Sequence, residues 1–192
     1  DPAIVSRLLL AMDEETSEFV RPALIRALAA HGTSANVRTR LIREISQGET
    51  YFRGAVIEAL GDHGATYAVD PISRIASERG PLQDDAIIAL GKIGNDQVLS
   101  VFAEAQSVSD DAMLPIISAG ACLAGTDCPN QVRYVVDTLE HAAEGASGSP
   151  ELLRGAATAA SVLAMSGRDG TMEVTAPLNA LFDIGIAASD EV

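Results

Sequence analysis

Apolar residues recur three and four positions apart along most of the chain, and short polar or glycine-containing segments separate these runs. Val20, Ala23, Leu24, Ala27 and Leu28 form one such run. Residues with this spacing lie on one face of an α-helix, so each run predicts an amphipathic helix and the whole pattern predicts an all-α protein. The predicted helices span residues 2–12, 17–31, 35–47, 51–62, 67–79, 82–93, 96–106, 111–124, 130–143, 150–166 and 173–187.

A glycine ends five of these apolar runs, and the glycines recur at similar intervals. They are Gly32, Gly64, Gly94, Gly125 and Gly167, with steps of 32, 30, 31 and 42 residues. Glycine adopts the left-handed conformation that closes a helix without steric cost. Because a second helical pattern follows each closing glycine, we predict helix-pair repeats near residues 17–48, 49–80, 81–108, 109–144 and 149–188.

The two ends of the repeat array differ from its middle. The first predicted helix has no partner before it, so we interpret residues 1–192 as a single repeat domain from a longer chain, or as its cap. The 42-residue step contains Gly- and Ser-rich residues 144–150, which predict a loop that is either a mobile connector or an insertion on a binding face. Since proline is tolerated only in a first turn, Pro177 places the start of the last helix at about Thr175.

The segment 52–61 resembles the first helix of a HEAT-like repeat of the type found in phycobilin lyase subunits. Matching residues are Arg53, Ala55, Ala59, Leu60 and Gly61, then Arg21, Ala23, Ala27 and Leu28 in the first copy, and Ala89, Leu90 and Gly91 in the third, where Gln83 replaces the arginine. The resemblance implies a right-handed α–α superhelix, or HEAT-like solenoid, of about five helix pairs plus an unpaired N-terminal helix. It also implies a concave interaction surface lined by the second helix of each pair.

The net charge of the chain limits the classes of partner that it is expected to bind. The net charge is −14, which disfavours nucleic acid because phosphates would be repelled. Residues 81–192 carry 4 basic and 16 acidic residues, a net −12, so this half either docks a cationic partner or is a solvated acidic surface. Lys92 is the single lysine among 13 basic residues, a bias typical of a high-GC or salt-adapted bacterial or archaeal genome.

Histidines and cysteines are the residues most suited to catalysis or metal binding. His31 and His63 occupy equivalent repeat positions, where they either share a metal or interact favourably with a helix carboxyl end. Cys122 and Cys128 either form a disulfide in an oxidising compartment or remain free thiols, and we favour free thiols because no sign of secretion is visible. We therefore assign no catalytic residue, no cofactor and no metal ligand.

Two acidic pairs and one group of arginines remain. Asp84–Asp85 and Asp110–Asp111 begin predicted helices, where they either favour the helix dipole or form an acid–base or cation site. Arginines cluster on the predicted second helices, where they either bind an acidic peptide or ligand carboxylate or form Arg–Glu pairs between repeats. The candidate partner-binding residues are Arg38, Arg40, Arg43, Arg74, Arg79, Arg133 and Asp137.

These observations predict a non-catalytic HEAT-repeat scaffold that binds a protein or peptide on the face formed by residues 35–47, 67–79, 96–106 and 130–143. One alternative is a lyase-like or chromophore-chaperone subunit related to phycobilin lyases. Another is a structural domain of a larger membrane-associated or secreted assembly. The chain has no apolar run of about 18 residues, so we expect no membrane span. We favour a cytoplasmic location, with a periplasmic or secreted one as the alternative because the chain begins at Asp1 without a methionine.

Overall fold

The structure of the protein is a computed structural model that describes residues 2–143, 150–167 and 171–179. Over these ranges the chain is helical and contains no β-strand, which confirms the predicted all-α class. Its α-helices are α1 (Pro2–Glu14), α2 (Arg21–Ala29), α3 (Ala35–Glu44), α4 (Thr50–Asp62), α5 (Val69–Ala76), α6 (Gln83–Ile93), α7 (Val98–Val108), α8 (Leu114–Leu123), α9 (Cys128–Ala143) and α10 (Pro150–Met165). None of the helices in the described ranges is both long enough and apolar enough to cross a membrane.

Most helix ends lie within a few residues of the predicted ones. The largest shift is at α2, which begins at Arg21 rather than at 17 and has Pro22 in its first turn. Short 3₁₀ turns precede α5 and α8, and a third, Thr171–Val174, leads into a helical segment at 175–179. Pro177 lies in that segment's first turn, as predicted. The rest of the predicted last helix, the loop at 144–149 and residues 168–170 lie outside the described residues.

From α2 onward the helices alternate between two rows. The first-helix row consists of α2, α4, α6, α8 and α10, and each of these packs against the next. The second-helix row consists of α3, α5, α7 and α9, and each of these packs against a helix of the first row. Helix α1 packs against α2. The core lies between the rows, where Leu28, Leu60, Leu90 and Leu163, which occupy equivalent repeat positions, are each fully buried.

The first-helix row is tightly packed because small residues face one another. A Cβ atom built at Gly61 on α4 would lie 2.7 Å from the Cα of Ala89 on α6. One built at Gly91 on α6 would lie 2.6 Å from the carbonyl oxygen of Gly120 on α8. No real Cβ atom fits at such distances, so glycine allows the backbones of α4, α6 and α8 to approach this closely.

The closing glycines follow the prediction at four of five positions. Gly64, Gly94, Gly125 and Gly167 have φ angles between 57° and 91°, in the left-handed region. Gly32 does not have a left-handed backbone, so the prediction is wrong there. A Cβ at this position would instead be in tight contact with the Tyr67 side chain, 3.1 Å from its hydroxyl oxygen.

The arginine of the repeat pattern closes the end of the preceding helix. The Arg53 Nε donates to the carbonyl oxygen of Ile45, just after α3, at 2.8 Å. In the next copy the Gln83 Nε2 donates to the carbonyl oxygen of Ala76, the last residue of α5, at 3.0 Å. Each bond satisfies one of the carbonyl groups that a helix leaves unpaired at its carboxyl end. Gln83 therefore departs from the pattern in identity but keeps its hydrogen bond.

Cys122 and Cys128 form a disulfide, so the expectation of two free thiols is wrong. Cys122 is the penultimate residue of α8, and Cys128 is the first residue of α9. Gly125 and Asp127 both have positive φ angles, which turn the chain back so that the Cα atoms of the two cysteines lie 4.2 Å apart. The bond ties the two helices together across this turn.

Candidate binding site

An open cavity of about 950 Å³ lies along the first-helix row. It extends from Arg26 on α2 to Met165 on α10, and its walls come mainly from α4 and α6. None of its described lining residues belongs to the second-helix row. Sites of about 300–1,000 Å³ accommodate small ligands, and the same space accommodates side chains of a docked peptide. We refer to this space as the first-helix cavity.

Small residues along α4 and α6 create this space. Gly54, Ala55 and Gly61 line it from α4, and Ala89 lines it from α6. Ala55, Gly61 and Ala89 are among the residues that match the HEAT-like pattern. At these four positions leucine or isoleucine would fill the space that the small residues leave open. The packing that lets the helices approach closely therefore also forms the floor of the cavity.

Two ion pairs cross the cavity wall between neighbouring helices. Arg26 of α2 pairs with Glu58 of α4 at 2.9 Å, and Lys92 of α6 pairs with Asp62 of α4 at 2.6 Å. Both pairs are partly exposed, so each adds less than about 1 kcal/mol to stability. Their main effect is to neutralise four of the five charged side chains that line the cavity.

Asp85 is the fifth charged residue, and its carboxylate has no hydrogen-bond or ion-pair partner among the described residues. It lies in the first turn of α6 and faces Gly54 of α4, where a Cβ atom would lie 2.8 Å from its Oδ2. The adjacent Asp84 is paired, because its Oδ2 lies 3.7 Å from Arg154 Nη1 of α10. The two aspartates of this motif therefore have different environments, and only Asp85 lines the cavity.

The environment of Asp85 disfavours its charged form. Burial raises its pKa, and the negative charges of Asp84 and Glu58 raise it further, from 3.8 to about 6. A carboxylate at a helix start is normally favoured by the helix dipole. Here burial and the neighbouring acids outweigh that effect, so Asp85 destabilises the fold at neutral pH, as residues retained for function often do.

Replacing Asp85 with asparagine is expected to stabilise the protein at pH 7.5 and to stabilise it much less at pH 4.5. Between about pH 4 and 6 the Asp85 carboxyl group is protonated in the native state and ionised in the unfolded state. The contribution of Asp85 to stability therefore falls as the pH rises through that window. Thermal unfolding of both proteins at four pH values measures the difference. Asp137→Asn, at an exposed site, is the matched control. Parallel pH curves for the wild type and Asp85→Asn would contradict this account.

Exposed apolar side chains lie near both ends of the first-helix cavity. Tyr51 lines the cavity at the α4 end, and its ring centroid lies 6.5 Å from that of Phe19. The relative exposures of Phe19 and Met165, which lines the α10 end, are 88% and 87%. Large apolar groups kept in water at the edge of a cavity are typical of partner-binding surfaces, where aromatic residues and methionine are enriched.

Three of the predicted partner-binding arginines are engaged within the chain. The Arg38 Nε donates to the Gly32 carbonyl oxygen at 2.6 Å, and its guanidinium lies over the Tyr67 ring. Arg40 pairs with Glu44 and with Asp13 of α1. Arg79 donates to the carbonyl oxygen of Val108. Only Arg40 of the three pairs with acidic residues, and its glutamate lies on the same helix, so these contacts are not the Arg–Glu pairs between repeats that were the predicted alternative.

The other four candidates do not form one site. Arg43 is about half exposed and lies 3.5 Å from Glu44. Arg74 on α5 and both Arg133 and Asp137 on α9 are exposed. They are spread over three helices of the second-helix row, so the structure brings them to no common cavity.

A smaller hollow of about 540 Å³ lies between α7, α8 and α9, on the side of the second-helix row. Leu99, Phe102 and Tyr134 line it, together with the amides of Gln106 and Asn130. None of its described lining residues is charged. It has room for a partner side chain on the predicted second-helix face.

His31 and His63 occupy the turns after first helices, at the equivalent positions predicted from the repeat. His63 follows α4 directly, and its backbone N–H donates to the Ala59 carbonyl oxygen at 3.2 Å. The His31 N–H donates to the Leu28 carbonyl oxygen at 2.8 Å. In the described part of the chain, no three His, Cys, Asp or Glu side chains are arranged to hold a metal ion.

A scan against protein-family models found no match, and a search of curated proteins found no relative. The evidence for this site therefore comes from the chain's own geometry.

The sequence contains a signal for Asp85 that the repeat alignment reveals. When Gly61 is aligned with Gly91, Asp85 takes the position that Ala23 and Ala55 hold in the first two copies. A carboxylate therefore replaces a small apolar residue at a repeat position that faces the neighbouring helix. The acidic pair at a helix start does not by itself show which of Asp84 and Asp85 lines a cavity, because both residues fit that motif equally well.

Proposed function

We propose that the chain is a non-catalytic, HEAT-like repeat module that binds a segment of a partner protein in the first-helix cavity. The recurrence of helix pairs at steps of 30–32 residues supports a HEAT-like α–α superhelix. So does the alternation of helices between two rows, with each first helix packed on the next. Helix pairs of this kind bury a shared core by stacking and leave an extended surface for binding.

The first-helix cavity carries this proposal. It contacts the first and last helices of its row, and it combines an uncharged floor, two internal ion pairs and exposed apolar side chains near both ends. A bound segment would cover Tyr51 and Met165 and would fill the space above Gly54 and Gly61. Because four of the five charged lining residues pair with one another, Asp85 is the lining residue that presents an unpaired charge to a bound segment.

The second-helix face, which the HEAT-like resemblance predicted as the binding surface, remains the competing location. Its arginines are largely engaged in contacts within the chain, and its hollow between α7 and α9 is smaller and uncharged. We therefore place the partner on the first-helix row.

Two tryptophan substitutions, one in each of the two cavities, test this placement. Thr158→Trp fills the first-helix cavity from α10, and Ala103→Trp fills the second-helix hollow from α7. Each tagged protein is incubated with extract from the host organism, and captured proteins are quantified by mass spectrometry. We expect Thr158→Trp to abolish the capture of specific partners and Ala103→Trp to leave it unchanged, with both variants folded by circular dichroism.

The reverse result would return the partner to the second-helix face. Equal capture by all three proteins would contradict binding in either cavity. Co-purification of a small molecule, displaced by Thr158→Trp, would support the lyase-like or chromophore-chaperone alternative instead.

The disulfide supports a second candidate, in which the chain is a structural domain of a secreted or membrane-associated assembly. Disulfides persist in oxidising compartments and are rare in the reducing cytosol. Mass spectrometry of the protein, alkylated before it is extracted from host cells, measures the state of Cys122 and Cys128. Alkylation of both thiols would contradict this candidate and favour a cytoplasmic location.

A further inference from the structure

The first-helix cavity contains one anionic group that is not neutralised. Arg26 neutralises Glu58 and Lys92 neutralises Asp62, so the lining residues carry a net charge of −1 that is located at Asp85. Gly54 has no side chain, which leaves the Asp85 carboxylate room to lie between α4 and α6. A ligand that brings a positive charge to this point would form an ion pair without breaking one.

Apolar side chains also line the cavity near Asp85. They are Leu82, just before α6, Ile88 on α6 and Val162 on α10. A lysine or arginine side chain has the matching shape, because its apolar stem packs along such walls while its charged end reaches the carboxylate. Hydrogen bonds to a charged, partly buried group are also stronger than those to neutral groups.

The charge of the whole chain excludes two other occupants. A second copy of this chain would bring a further −14, and a nucleic acid would bring its phosphates, so both would be repelled. A cationic peptide is attracted instead, since residues 81–192 carry a net −12 and contribute half of the cavity wall.

We propose that the first-helix cavity recognises a lysine or arginine side chain of a partner peptide, with Asp85 as the carboxylate that binds its charged end and with Tyr51 and Met165 contacting apolar residues of the same peptide. This specificity rests on the proposed function, because it names what the bound segment must present at the centre of the cavity.

The inference predicts how binding depends on pH. The charged groups around Asp85 in the described structure are Asp84 with its partner Arg154, and Glu58 with its partner Arg26. Burial and the two acids raise the pKa of Asp85 to about 6, so it gains a proton as the pH falls through that value. A basic peptide should therefore bind about tenfold more weakly at pH 5 than at pH 7.5, as expected for loss of one charged hydrogen bond.

Selection from a random heptapeptide library displayed on phage, at 150 mM salt, tests the proposal. The wild type should enrich peptides with one lysine or arginine flanked by apolar residues. Asp85→Asn keeps the shape of the side chain and should lose the enrichment of basic residues while still selecting apolar ones. Asp96→Asn removes the same charge from the exposed turn before α7, which lines neither cavity, and should select as the wild type does.

The outcomes of this selection distinguish the role of Asp85, the cationic specificity and the proposed function. Enrichment of basic residues that persists in Asp85→Asn, or is lost equally in Asp96→Asn, overturns the role of Asp85. If the wild type selects peptides that lack basic residues, and Thr158→Trp does not select them, the cationic specificity is wrong and the proposed function stands. If Thr158→Trp selects the same peptides as the wild type, or if no peptide is selected, the proposed function fails as well.

Discussion

Replacing Gly91 with alanine is expected to lower the free energy of unfolding by about 3 kcal/mol, at the upper end of the usual cost of overpacking. The new Cβ atom would lie 2.6 Å from the Gly120 carbonyl oxygen and 2.9 Å from its Cα. Both neighbours are backbone atoms of α8, so no side chain can move aside and the two helices must separate. The better helix propensity of alanine offsets only about 1 kcal/mol of this cost.

Gly80→Ala is the matched control, because a Cβ at Gly80 has no other atom within 4 Å and the residue has no left-handed backbone. Urea unfolding followed by circular dichroism should show little change for Gly80→Ala. The melting temperature of Gly91→Ala should fall by about 10 °C, since 1 kcal/mol corresponds to about 2–4 °C for a chain of this size. Equal stability of the two variants would show that α6 and α8 do not approach as closely as described.

The Gly91→Ala substitution should also change the first-helix cavity, because α4, α6 and α8 form one tightly packed row. Separation of α6 from α8 would move the wall that carries Asp85 and Lys92 relative to α10. We therefore expect Gly91→Ala to weaken binding in the first-helix cavity even though Gly91 does not line it.

Most of the helices could be predicted from the sequence because helix formation is a local property. Apolar spacing and closing glycines depend on neighbours within a few residues, and both patterns are clear up to residue 143. The start of α2 was less predictable because Ser17 to Val20 continue the helical pattern in composition, although they form turns before Pro22. Propensity alone does not resolve such ends.

The cavity could not be predicted in the same way. Apolar spacing shows which face of each helix is buried, but it does not show which row of helices encloses an open space. That depends on how closely successive first helices approach, and hence on contacts such as Gly61 with Ala89 between residues 28 apart. The resemblance to HEAT-like repeats predicted a binding surface on the second helices instead. Several arginines on those predicted helices contact other parts of the chain in the structure.

The charge pairs illustrate the same distinction between local and distant contacts. Arg40 and Glu44 are four residues apart on one helix, so their pairing is visible in the sequence. The contact between Arg21 and Glu44 joins residues 23 apart on different helices. Only the folded structure shows that Glu44 is the centre of a network rather than one member of a surface pair.

Replacing Glu44 with glutamine is expected to lower the free energy of unfolding by about 3–5 kcal/mol, the usual cost of breaking a buried ion pair from one side. Glu44 is 1% exposed and accepts from Arg21 at 2.8 Å and from Arg40 at 2.6 Å. Glutamine nearly preserves the shape, but it removes the negative charge and presents an N–H₂ group toward one guanidinium. Two largely buried cations would then lose their shared partner.

Glu58→Gln is the control, because it makes the same chemical change in a pair whose two side chains are about half exposed. Its cost should stay below about 1 kcal/mol. Because the network joins α1, α2 and α3, amide hydrogen exchange in Glu44→Gln should accelerate first in these helices and least in α8 and α9, since local stability follows local contacts. Equal destabilisation by the two variants, or uniform acceleration along the chain, would show that Glu44 is not the centre of a buried network at this end of the protein.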